Sequence, residues 1–278
     1  MTSMPLPSAF LVLPIVLIVL AVLIVLSRRF AWWRASVSPA HPRILMYHMI
    51  CEHCPGAKFN KLRVRPAQFE KQLKWLRDEG WHFAFMSELH SNLPAKTVVL
   101  TFDDGYEDNL LIADPILERY GAKATLYLVE DRFERDWSSS KKAHHDSGEL
   151  MREDKLTDTQ VRGMLASGRW ELGGHTRTHA NLAVLDEQQR QAEIGAARES
   201  LGELFEVSID SLAYPFGIYG PEDVVAAREA GYATAVTTVE GVSENLGDEA
   251  MELRRIKVSG KDSMASFRLR MRTGKRGA

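Results

Sequence analysis

Cysteine is nearly missing from this chain. Two residues, Cys51 and Cys54, cannot staple a disulfide scaffold, and with no further cysteine they cannot complete a four-cysteine zinc site. Pro55 and Gly56 follow them, where a thioredoxin-type redox pair would open a helix. A disulfide, a small metal cluster and two reduced thiols all remain open for the pair. Net charge is also lacking: 35 basic against 37 acidic residues leave −2, no global field to hold a polyanion, so nucleic acid is not an expected partner. Internal repeats are absent, and nothing indicates a nucleotide cofactor. What is present is ample core material, with 45% of 278 residues hydrophobic and 26% charged, enough for one large domain or two small ones.

Residues Ala9 to Leu26 carry no charge and are interrupted only by Pro14. As a helix that run covers about 27 Å, and extension to Trp32 and Trp33 reaches the roughly 30 Å of a hydrocarbon core. A cleaved secretory signal would carry positive charge ahead of the run. Here Arg28, Arg29 and Arg34 all follow it, so a single-pass N-terminal anchor is expected over residues 1–34. By the positive-inside rule the remainder is then cytoplasmic. Residues 35–42, with Ser36, Ser38, Pro39 and Pro42, read as a linker. A domain over 43–265 and a basic, solvated tail over 266–278 complete the organisation, the tail's arginines being able to meet anionic lipid.

Within 43–265, apolar runs of strand length alternate with segments of helical period. Ile44 to Tyr47, Thr97 to Phe102, Thr125 to Val129, Trp170 to Leu172, Ile209 to Tyr214 and Tyr232 to Val236 read as strands. Helices are predicted after Pro66, through Leu110 to Tyr120 with a kink at Pro115, from the capping boxes Thr157/Gln160 and Asp186/Gln189, and after Pro221. Phe133 to Asp154 has no clear period and reads as an insertion or mobile loop. The fold class is therefore α/β: a parallel sheet covered by helices, open or closed into a barrel, with chemistry at the strand C-terminal ends.

The strand Thr97 to Phe102 runs directly into Asp103-Asp104-Gly105. Adjacent side chains diverge, so one carboxylate can ligate a cation while the other faces water, although these residues also suit a plain turn. His175 and His179, behind the strand Trp170 to Leu172, are four apart; on a helical turn they would project to one side and share an ion. One carboxylate and two imidazoles make a three-ligand set that leaves a position open for water.

Together with Ile44-Leu45-Met46-Tyr47-His48 and Ala213-Tyr214-Pro215-Phe216-Gly217, these motifs resemble the NodB-homology polysaccharide deacetylases, carbohydrate esterase family four. The likeness spans roughly residues 43 to 260, in a variant with an N-terminal Met-Tyr-His motif. It implies a distorted (β/α) barrel, one divalent metal, usually zinc, and hydrolysis of N-acetyl groups, or N-formyl groups, on amino sugars of a polysaccharide or a lipid-linked saccharide. At matching positions Asp104, His175 and His179 become metal ligands and Asp103 the general base toward a metal-bound water. A backbone N–H at Phe216 helps hold the oxyanion, and Tyr214, Pro215 and Phe216 form a substrate wall. The sequence departs from the common pattern twice. No histidine stands in 250 to 260 to protonate the leaving amine, a role for which His48, ending its strand, is the expected replacement. Ala213 replaces an arginine that orients the base, with Arg254 or Arg255 as substitutes. Both departures motivate an alternative, a non-catalytic glycan-binding or assembly protein that keeps the fold.

Overall fold

The computed structural model describes residues 9–31, 33–137 and 147–276. Helix α1 (Ala9–Phe30) comes first. It is followed by β1 (Arg43–Tyr47), α2 (Pro66–Asp78), β2 (His82–Ala84), β3 (Thr97–Asp104), α3 (Asp114–Tyr120) and β4 (Ala124–Leu128). Next are α4 (Asp158–Ala166), β5 (Trp170–Gly174), α5 (Glu187–Gln191), α6 (Ala197–Phe205) and β6 (Ser211–Ala213). The chain ends with α7 (Pro221–Glu229), β7 (Thr234–Glu240), β8 (Leu253–Lys257) and α8 (Met264–Thr273). Every strand pairing is parallel, and β1 joins β8 on one edge and β3 on the other. The sheet thus closes as a seven-stranded barrel. Strand β2 lies outside the ring, pairing with Thr97 to Val99 on the same edge of β3 whose later residues, Leu100 to Asp104, pair with β4.

Strands β1, β3 and β4 are buried throughout, because helices cover the outside and side chains fill the inside. Leu45, Tyr47, Leu100 and Phe102 face α2 and α3 in the main core, whereas Ile44, Val99, Tyr127, Val236 and Leu253 pack in the interior. The two sets alternate along each strand, as the pleat requires. Both capping boxes form, and Gly121, at φ 60°, ends α3. Pro115 does break the helical register: a π-helical turn, Asn109–Ala113, precedes α3.

Two expectations change here. Residues 266–278 are not a solvated tail as far as they are described, because α8 buries Phe267, Leu269 and Met271 and Arg272 bonds the carbonyls of Ala31 and Arg34. Burial on more than one side makes α8 part of the domain. The membrane-spanning reading is not supported either: among the described residues no helix is long and apolar enough to cross a membrane. Of the insertion, 138–146 lies outside the described residues, but Trp137 and Leu150 are buried. Cys51 and Cys54 are free thiols.

Candidate metal centre

The C-terminal ends of β1, β3, β5 and β6 meet around a cavity of about 610 Å³ lined by His48, Asp103, Asp104, His175, His179, Tyr214 and Phe216. Pro215, between Tyr214 and Phe216, is buried. In a regular strand Asp103 and Asp104 would face opposite sides. Asp104 instead adopts φ 80°, breaking the pleat, and both carboxylates reach the same rim.

The histidine pair is not carried by a helical turn. Residues 175–179 form a loop in which Thr176 (φ 64°) and His179 (φ 57°) are left-handed, and this loop rather than helical periodicity brings the rings to 4.7 Å between centroids. His175 Nδ1 lies 2.7 Å from the Ala213 carbonyl. A carbonyl only accepts, so Nδ1 carries the proton and Nε2 keeps its lone pair. Both Nε2 atoms stand 3.3 Å from Asp104 Oδ1. The three residues are buried and their donor atoms lie within 4.8 Å of one another. Asp104 Oδ1 has no hydrogen-bond partner among the described residues. Buried polar atoms are rarely left so, and a borderline divalent cation accepted by one carboxylate and two imidazoles satisfies the group.

Electrostatics agree with that fit. Burial would raise the Asp104 carboxyl, but the adjacent His175 and His179 imidazoles outweigh it and hold the group well below the usual carboxylate range. His175 is raised: burial opposes its charge, yet the neighbouring Asp104 and Asp103 prevail. For His179 burial wins and the pKa is lowered.

Asp103 is held by an arginine, as the Ala213 departure required. Arg255 Nη1 and Nη2 donate to the two Asp103 oxygens at 2.6 and 2.8 Å, and Arg255 also bonds Thr101 Oγ1 and the Thr237 carbonyl at 3.0 and 2.9 Å. Arg254 is exposed and faces Glu249. Burial raises the Asp103 carboxyl, but Arg255 overcomes this and leaves it lowered. His48 follows β1, is half-buried, and its carbonyl accepts from Asn109 at 2.8 Å.

Phe216 holds φ 58°, stands 4.3 Å edge-on from His179, and is followed by Gly217 at φ +67°, where a Cβ would meet Thr238 Oγ1 at 1.9 Å. Tyr214 stacks on Tyr219 at 4.3 Å. Sequence reasoning missed Phe59, Trp137 and Leu150 as further cavity walls. Trp137 lies 5.2 Å from the His179 ring, and a tryptophan in an otherwise polar insertion was the one available signal.

Comparison with known proteins places this arrangement. Residues 90–235 match the family model for polysaccharide deacetylase. YxkH of Bacillus subtilis (strain 168), a protein named for the same family, is 33% identical over 242 residues, covering 84% of this chain and 77% of its own. A poly-β-1,6-N-acetyl-D-glucosamine N-deacetylase of Staphylococcus aureus (strain MRSA252) is 23% identical over 181 residues, 60% of this chain and 58% of that protein. The structure of the Streptococcus pyogenes deacetylase PplD in complex with acetate superposes with a TM-score of 0.67 at 28% identity, covering 82% of this chain and 96% of that one. The chain therefore belongs to the polysaccharide deacetylase family, hydrolases acting on carbon–nitrogen bonds other than peptide bonds.

Proposed function

We propose that the chain removes N-acetyl, or N-formyl, groups from amino sugars of a polysaccharide or a lipid-linked saccharide, with one zinc ion held by Asp104, His175 and His179. The observation that carries this reading is the convergence of those three donors in one cavity beside an aspartate clamped by Arg255. A divalent cation there supplies Lewis acidity toward a carbonyl oxygen and brings the pKa of water toward neutrality. Asp103 stays ionised because of Arg255 and accepts a proton from attacking water as general base. Arg255 holds both of its oxygens, so the carboxylate cannot rotate away from the cavity. The Phe216 backbone N–H helps to hold the oxyanion, and His48 delivers a proton to the departing amine. Tyr214 and Phe216 form the wall against which the sugar sits, with Pro215 fixing the turn between them.

We further propose that α1 anchors the domain to a membrane, with the domain on the cytoplasmic side of Arg28, Arg29 and Arg34. Support comes from the uncharged run Ala9 to Leu26 and from Leu13, Leu23 and Val25 being exposed at 63%, 55% and 63% on different faces of one helix. A reporter fused to the C-terminus tests the side.

Acetate release from poly-β-1,6-N-acetylglucosamine oligosaccharides, with and without added zinc, tests the reaction. Wild type releases acetate and Asp103→Asn does not; equal background release from both overturns the reading. It would favour a glycan-binding role, although Arg255 removes one of the two reasons for expecting it.

A further inference from the structure

The loop carrying both imidazoles cannot be held by its own sequence, because left-handed φ at Thr176 and at His179 is unfavourable for non-glycine residues. Something outside the loop must over-determine it. Part of the answer is the exit of β4, where Glu130 N–H donates to the Thr176 carbonyl at 3.2 Å and Asp131 N–H to the Arg177 carbonyl at 2.8 Å. The rest comes from a helix whose sequence shows no reason for a role in the site.

Between α5 and α6 the helix contains a π-helical turn, Ala192–Ala196. After it the buried face reads Ala197, Leu201, Phe205, an ordinary α-helical stripe. A π turn adds a residue, so the helix on its N-terminal side is rotated by about 100° relative to the helix on its C-terminal side. Glu193 lies inside that turn, 8% exposed and adjacent to the fully buried Ile194. Its Oε2 accepts from Thr178 N–H at 2.9 Å and its Oε1 from Thr178 Oγ1 at 2.6 Å, while the Glu193 carbonyl accepts from Arg177 N–H at 3.0 Å. Farther along the same helix, Ser200 Oγ donates to Glu130 Oε1 at 2.8 Å, steadying the residue that holds Thr176. One helix therefore fastens the loop directly at 177 and 178 and indirectly at 176.

We propose that Glu193 is a positioning residue for the metal centre: the π turn aims its carboxylate at Thr178 so that His175 and His179 are held in ligating geometry before the ion arrives. This role rests on Asp104, His175 and His179 being metal ligands. It assigns the π turn a purpose, since an unbroken α-helix over the same residues would turn Glu193 away from the loop or Ile194 out of the core. Partners that orient ligands typically change metal affinity about 10- to 100-fold when lost.

The test is zinc affinity of the full chain, by competition with a chromophoric chelator, for wild type, Glu193→Gln, Glu193→Ala and Thr178→Val, alongside thermal unfolding of the metal-free proteins. Wild type binds one zinc. Glu193→Ala binds at least about 10-fold more weakly, and Glu193→Gln lies between them because one amide oxygen can still accept from Thr178 N–H. Thr178→Val, which loses only the hydroxyl bond and does not alter Glu193, is weakened less than Glu193→Ala. If Glu193→Ala does not fold, weaker zinc binding by Glu193→Gln and by Thr178→Val than by wild type decides. Folded variants that bind zinc as tightly as wild type overturn the proposal for Glu193 alone, whereas a wild type that binds no zinc overturns the metal centre and this inference with it.

Discussion

Replacing Arg255 by methionine keeps an unbranched apolar stem and removes the guanidinium with its charge. Both partners of the Arg255–Asp103 pair are almost wholly buried, with side-chain exposures of 0% and 4%, so solvent screens little of the interaction. Two bonds to Asp103 and one each to Thr101 and Thr237 disappear together. Stranding one member of a buried pair costs about 3 to 5 kcal/mol, and the largest part of that is the unpaired Asp103 charge. The pH dependence comes from the same pair. In wild type the Asp103 pKa is lowered, so its contribution is present above the unfolded carboxyl's pKa of about 3.9 and is lost as pH falls through the folded value. Without Arg255, burial dominates and raises that pKa, and the variant instead loses stability as pH rises through the raised value. Urea unfolding of the full chain at pH 5 and pH 7 should show a wider gap between wild type and Arg255→Met at the higher pH. In an Asp103→Asn background no unpaired carboxylate remains, and Arg255→Met should cost little or even stabilise. A cost that is equal in both backgrounds refutes the reasoning.

Zinc affinity should fall with decreasing pH, the decline beginning above pH 6.5, because His175 is raised from that value and a protonated Nε2 cannot ligate; titration calorimetry at several pH values measures it, and a pH-independent affinity contradicts it. Gly217→Ala should be destabilising by at least about 1 to 3 kcal/mol, since the new Cβ would stand 1.9 Å from Thr238 Oγ1 at φ +67°; a melting temperature equal to wild type would show that Thr238 yields. Trp137→Ala should raise KM more than it lowers kcat, because the ring lines the cavity beside His179 but transfers no proton; initial-rate kinetics on the oligosaccharides separate the two constants.

The sequence by itself determined the local elements. Short runs of apolar and β-branched residues such as Thr97 to Phe102 favour strands buried on both faces, and Thr157 with Gln160 and Asp186 with Gln189 start helices by bonds made within four residues. It also determined that two carboxylates leave a strand end and that two imidazoles come after another, and the order of these motifs was specific enough to indicate the family. Tertiary structure decided everything that depends on direction. Asp103 and Asp104 share a rim only because φ at Asp104 is left-handed, and His175 and His179 meet through a strained loop that no helical spacing describes. The choice between Arg254 and Arg255 was open in the sequence because either phase of a strand is possible there; barrel closure between β1 and β8 turned Arg255 inward. Trp137 reached the centre through a contact with His179, and Glu193 through contacts with Thr178, 15 residues away; contacts between separate elements leave no periodic trace in a single chain.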